Sequence, residues 1–136
     1  MPRILAIDYG QKRVGLAVTD SEQIIASGLT TVHAKDVISY LKQYVTRVKV
    51  SGFVVGEAKN LDNTPAESAR FIEPFVRKLA LTFPEISIHR VDERFTSKMA
   101  FQSMIDGGLK KKSRRNKALV DEISATIILQ SYLDSL

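Results

Sequence analysis

The sequence predicts an α/β fold on a mixed five-stranded sheet, with three antiparallel strands first, then alternating helices and strands, and a long C-terminal helix. Three observations carry this prediction. Short apolar runs separated by turn residues occupy the start of the chain, helix-spaced and strand-like segments alternate after them, and the last apolar stretch keeps helical spacing throughout.

In order, Ile4 to Ile7 is a buried-strand pattern ending at Asp8, and Gly10-Gln11-Lys12-Arg13 supplies turn chemistry before a second apolar run, Val14 to Val18. Ser21-Glu22-Gln23 makes the next turn, and Ile24 to Thr31 completes a three-stranded meander. Val37, Ile38, Leu41, Tyr44, Val45 and Val48 then recur at helical spacing, with Asp36 at the start. Ser51 to Gly56 is the fourth strand. A second helix could begin at Pro65 and run through Ala69, Ile72, Phe75 and Leu79 to the Pro84 stop, with Pro74 implying a kink or an irregular turn. Ile86 to Val91 is the fifth strand and leads into Asp92-Glu93-Arg94. Thr96 to Ile105 reads as a helix ending at Gly107-Gly108, and a basic stretch then opens the closing helix, about Lys117 to Leu133.

A chain of 136 residues with 44% hydrophobic content closes one core, so residues 1–136 are expected to form a single domain. The absence of cysteine excludes disulfides and thiolate metal sites, which leaves oxygen or imidazole ligands and makes Mg²⁺ or Mn²⁺ the expected metals. Apolar runs are far shorter than a membrane span and the start lacks a signal-peptide pattern, so a soluble cytoplasmic protein is expected. The formal charge of +5 favours polyanionic partners.

Three groups of acids stand where metal chemistry needs them. Asp8 ends the first strand before Tyr9-Gly10, a pattern that serves a metal ligand or an ordinary turn-initiating Asp. Asp121 shares a helical stripe with Ala125, Ile128 and Tyr132, where a carboxylate is costly to bury unless it is paired or bound to a metal. The small residues Ser124 and Ala125 would let that helix approach the sheet closely. Asp92 and Glu93 end the fifth strand on opposite faces, so one of them reaches a shared centre, and Glu57 ends the fourth strand as a further candidate. Acids gathered from several strand ends and a facing helix suit two-metal phosphodiester chemistry, in which one ion activates water and the other stabilises the leaving oxygen.

Lys110, Lys111, Lys112, Arg114, Arg115 and Lys117 concentrate positive charge just before Asp121, and Lys12 and Arg13 lie beside Asp8. Such cations can hold a phosphate backbone beside the metals. Few aromatic residues are interleaved with these charges, so a base-stacking platform for single strands is not expected.

Asp8-Tyr9-Gly10-Gln11-Lys12-Arg13-Val14-Gly15, Val54-Val55-Gly56, Asp92-Glu93-Arg94-Phe95-Thr96-Ser97 and Lys117-Ala118-Leu119-Val120-Asp121 with Ile127-Ile128-Leu129-Gln130 together resemble the YqgF/RuvX family over essentially the whole chain. The resemblance implies an RNase H-like fold and a nuclease acting in maturation of the 5′ end of pre-16S rRNA, in a family also described as Holliday junction resolvases. It puts the acidic positions on Asp8, on the acidic pair with Glu93 preferred, and on Asp121. Where many relatives have Leu-Pro after Val-Val-Gly, this chain has Glu57-Ala58. That departure leaves Glu57 open as third ligand, an arrangement similar to resolvases of the RuvC type.

The leading expectation is therefore a metal-dependent nuclease that cuts structured RNA, a pre-16S precursor on ribosomal particles, with Asp8, Glu93 and Asp121 binding two Mg²⁺ or Mn²⁺ ions. A branched-DNA resolvase is the alternative enzyme and would need a two-fold dimer; the chain is expected to be a monomer or a weak homodimer. A non-catalytic RNA-binding module of the same fold is the alternative outside enzymes. An actin-like ATPase half is set aside, because 136 residues leave no room for a second lobe.

Overall fold

The computed structural model describes residues 2–57, 69–93 and 117–136, with side chains of the last segment described from Val120 onward. The predicted helix at Thr96 to Ile105, the start at Pro65, and the basic run from Lys110 through Arg115 lie outside the described residues.

The strands are β1 (Arg3–Tyr9), β2 (Arg13–Thr19), β3 (Ala26–His33), β4 (Val50–Glu57) and β5 (Ser87–Asp92). The helices are α1 (Val37–Arg47), entered through a short 3-10 turn at Ala34–Asp36, α2 (Ala69–Thr82) and α3 (Lys117–Asp134). The sheet order is β3-β2-β1-β4-β5. The first three strands pair antiparallel, whereas β4 is parallel to both β1 and β5. The C-terminal ends of β1, β4 and β5 therefore lie side by side along one edge of the sheet, where parallel α/β sheets gather functional groups.

Alternation along the strands divides the core in two. Leu5, Ile7, Val14, Leu16, Phe53 and Val55 pack under Val37 and Leu41 of α1 and Ile72, Phe75 and Leu79 of α2. Ile4, Ala6, Ala17 and Val54 face the other way and meet Ala125, Ile128 and Leu129 of α3. The α3 face is lined with small residues, so the helix lies close to the sheet. Glu122 and Thr126 of α3 sit over Gly28 of β3.

One expectation about the elements is corrected. The third strand begins at Ala26, because the carboxylate of Asp20 accepts from the backbone N–H groups of Ile24 (2.8 Å) and Ile25 (3.0 Å) and keeps both in the turn. Those two side chains are accordingly exposed. Pro74 lies inside α2, which continues through it. Its missing N–H would have served the carbonyl of Arg70 in the first described turn, so the ring forfeits one ladder bond near the helix start.

Candidate active site at the strand ends

Asp8 stands one residue beyond the Ile7–Val55 pair of β1 and β4, which puts it beside Gly56, and across the antiparallel pair it faces Gly15 of β2. It shares the α3 face with Ala6 by alternation. Both neighbouring glycines are filled by acidic residues from elsewhere. A Cβ at Gly15 would run into the backbone carbonyl of Asp121, and a Cβ at Gly56 would run into the side chain of Glu93. Glycine at these two positions is thus what allows α3 and the end of β5 to close on Asp8 from two sides.

Glu93 follows β5 directly, and its backbone N–H donates to the carbonyl of Glu57 at 3.0 Å. Its carboxyl group lies over Gly56 and is hydrogen-bonded to that of Asp8. Two carboxyl groups can make that bond only if one carries a proton. Burial, the Asp8 charge and the shared hydrogen bond push Glu93 up to about 8. Burial raises Asp8 to about 6, the bond from Glu93 opposes this, and the Asp121 charge adds to it. The pair titrates as a unit and shares a proton near neutral pH.

Asp121 reaches the site from α3, where its Oδ2 accepts from Arg13 Nε at 2.9 Å. Arg13 opens β2 after the Gly10–Arg13 turn. The expected phosphate-holding residue Arg13 is therefore engaged with an expected metal ligand. Lys12 is exposed in the same turn, and Lys117 starts α3.

Glu57 and Asp92 are register partners at the ends of β4 and β5. Alternation sets both on the α2 face, with Val55 and Arg90, while Asp8, Glu93 and Asp121 share the opposite face. Sequence reasoning missed the cation below this edge. Arg90 makes a bidentate pair with Glu73 of α2 (2.8 and 2.8 Å) and donates to the carbonyls of Val55 (3.2 Å) and Gly56 (3.0 Å). It braces the strand that carries Gly56, and its charge partly offsets the rise at Glu93. An arginine inside a half-buried strand needs such a partner, which was the available signal.

Among the described residues no three acidic or imidazole side chains close around one point as a finished metal cage. The donors nevertheless fit a hard divalent cation. They are all carboxylate oxygens, two of them are close enough to share a proton, and the third is neutralised by Arg13, so the site carries negative charge that a cation would relieve. Among the described residues, no helix is long and apolar enough to cross a membrane.

A family model described as "RuvX: Holliday junction resolvase" matches residues 2–135. A protein of Flavobacterium psychrophilum named "Putative pre-16S rRNA nuclease" is 62% identical over 133 residues, covering 98% of this chain and 97% of its own. One of Christiangramia forsetii with the same name is 60% identical over 133 residues, covering 98% of each. Among solved structures, Thermus thermophilus RuvC in complex with a Holliday junction substrate superposes with a TM-score of 0.62 at 14% identity, covering 99% of this chain and 96% of that one. The fowlpox virus resolvase bound to Holliday junction DNA gives 0.59 at 13% identity, covering 98% and 97%. The structural likeness establishes an RNase H-like architecture, and the matched motifs run nearly from end to end: the chain belongs to the RuvX family.

Proposed function

We propose that residues 1–136 act as one nuclease domain that hydrolyses phosphodiester bonds in structured RNA, at the 5′ end of pre-16S rRNA on ribosomal particles in the cytoplasm. The observation that carries this reading is the convergence of Asp8, Glu93 and Asp121 from β1, the end of β5 and α3 on one face of the strand ends. These three carboxylates would hold Mg²⁺ or Mn²⁺, which when bound supplies charge neutralisation at the phosphate and a water nucleophile at neutral pH. The names of the relatives on pre-16S rRNA support the choice of RNA.

The chain's own residues set the remaining conditions. The proton between the Asp8 and Glu93 carboxyl groups has to leave before both can act as ligands, so the site is built to exchange a proton for a cation. Arg13, on a turn at the rim of the site, is placed to exchange Asp121 for a substrate phosphate, and exposed Lys12 adds to the same surface. Gly15 and Gly56 leave room for the Asp121 backbone and the Glu93 side chain beside Asp8.

The test is cleavage of a 5′-extended 16S precursor by the purified protein with Mg²⁺ or Mn²⁺, beside Asp8→Asn. Cleavage that needs metal and disappears in the variant supports the reading. Intact precursor under all conditions overturns it. The family description and the Holliday junction complexes of the structural neighbours favour one second reading, a junction resolvase. Symmetric cutting of a four-way junction by a dimer, with the precursor left whole, would establish that alternative.

A further inference from the structure

Asp8 and Tyr9 are consecutive on β1, and alternation sends their side chains to opposite faces of the sheet. Asp8 enters the acidic site on the α3 face. Tyr9 enters an open cleft of about 260 Å³ on the other face, between the turn before α1 and the middle of α2. Its ring stacks on Phe75 with centroids 4.3 Å apart, and Phe71 and Pro74 of α2 line the same space. The guanidinium of Arg70 lies 4.8 Å from the Phe71 ring centre.

The charges at the cleft are of one sign. Lys35 and Lys78 line it, both are exposed, and among the described residues no carboxylate lines it. Nearby Glu73 is taken by Arg90. Stacked aromatic rings with cations at the rim are the two components of sequence-tolerant binding to an unpaired nucleotide: the rings take the base and the cations take the phosphate. The volume lies just below the roughly 300 Å³ at which small-molecule pockets begin, so the cleft suits one base and not a dinucleotide.

We propose that this cleft is a nucleotide subsite, in which an unpaired base of the RNA strand stacks against the Tyr9, Phe71 and Phe75 cluster while Lys35 and Lys78 hold its phosphate, close along the strand to the phosphodiester at Asp8. This rests on the nuclease reading for its substrate. The single step of β1 between Asp8 and Tyr9 couples the two sites: a strand passing over the sheet edge meets the acids on one side and the rings on the other. The subsite then requires a substrate that is single-stranded next to the cut, which selects flexible precursor ends over continuous duplex.

The test is amide-resolved NMR of the full chain in EDTA, titrated separately with adenosine 5′-monophosphate, adenosine, inorganic phosphate, octanoate and a hexaribonucleotide. The monophosphate is expected to shift the amides of Tyr9, Lys35, Ile38 and Phe71 in a saturable way, adenosine to do so more weakly, and phosphate and octanoate to leave them in place. Phe71→Ala should weaken the monophosphate about tenfold, the order expected of one base stack. Lys78→Glu, on an exposed residue that the fold does not need, should weaken the monophosphate and leave adenosine unchanged.

The hexaribonucleotide should shift the same amides at lower concentration than the monophosphate. No shifts there, equal shifts from octanoate, or indifference to Lys78→Glu would overturn the subsite. A hexamer that leaves these amides in place while the monophosphate fills the cleft would make it a free-nucleotide site, and would overturn the strand assignment. None of these measurements requires cleavage. A filled cleft on a protein that cuts no RNA would therefore count against the nuclease reading alone.

Discussion

Arg13 Nε donates to Asp121 Oδ2 at 2.9 Å, so the cation at the turn of the first hairpin is spent on an acid of the last helix. The two residues are 108 positions apart, and the bond closes the sheet edge against α3. The side chains keep 43% and 21% of their exposure, which makes the pair a modest one, and it can be exchanged for other partners.

That exchange predicts the behaviour of Arg13→Gln. With the competing cation removed, Asp121 is freer to accept a metal, and Mn²⁺ affinity measured by calorimetry should rise about two- to fivefold, as expected from the ~0.5–1 kcal/mol of a partly exposed pair. RNA affinity should fall in the same variant. Unchanged Mn²⁺ affinity would mean that Arg13 does not compete at Asp121.

Gly15 and Gly56 are expected to fail in different ways. A methyl group at 15 meets the backbone of Asp121, which can yield only if the whole helix moves, so Gly15→Ala should cost about 1–3 kcal/mol in chemical denaturation. A methyl group at 56 meets the side chain of Glu93, which can rotate away. Gly56→Ala should keep its denaturation midpoint and lose metal affinity. Equal stability losses in the two variants would contradict this account of which contact is rigid.

The Asp8–Glu93 pair fixes the sign of a pH effect on the metal-free protein. Both folded-state values, about 6 and about 8, lie above the roughly 4 of carboxylates in an unfolded chain, so the folded state binds more protons across that interval. Stability from these groups is complete below about pH 4 and is lost as pH rises through about 6 and then about 8. Asp20 and Glu73, whose values are lowered by backbone N–H groups and by Arg90 respectively, act in the opposite sense and at lower pH. Thermal melts in EDTA should therefore decline from about pH 5 to 8.5, and each ~1 kcal/mol lost moves the midpoint of a domain this size by about 4 °C. Asp8→Asn should flatten the decline, and so should Mn²⁺. A wild-type melt that rises across this range would contradict the shared proton.

How much of this was legible in the sequence differs from element to element. The five strands and the order of the described helices follow from apolar periodicity, and period two alone put Asp92 and Glu93 on opposite faces. Asp121 stood out as a charge on an apolar stripe. The start of β3 was misread because the Asp20 side chain captures two backbone amides, a local bond that apolar patterning does not register. The Arg13–Asp121 pair, the Arg90–Glu73 brace and the Tyr9–Phe75 stack each join segments distant in sequence, and one chain without its fold gives no means of pairing them.

The sharpest division concerns Glu93 and Glu57, which close neighbouring strands: the sequence favours Glu93 to complete an oxygen cage with Asp8 and Asp121 and leaves Glu57 as the alternate. Glu93 lies over Gly56, bonded to Asp8, on the α3 face. Glu57 follows Val55 in phase and belongs to the α2 face, where the positive charge of Arg90 is felt by both acids. Loss of an outer-shell partner typically costs a metal site roughly 10–100-fold, so Glu93→Gln, as loss of a direct ligand, should cost more than that in single-turnover cleavage at saturating Mg²⁺. Glu57→Gln, on the opposite face of the sheet from the three acids, should cost less than an outer-shell partner does, under about tenfold. Asp8→Asn and Asp121→Asn should match Glu93→Gln, with circular dichroism showing all four variants folded. Above about pH 8 in EDTA, where the shared proton has left, Asp8→Asn and Glu93→Gln should be at least as stable as the wild type, because each then removes a charge from a crowded acidic pair. A greater loss at Glu57 than at Glu93 would move the third ligand to the end of β4 and require the strand ends to rearrange when metal binds.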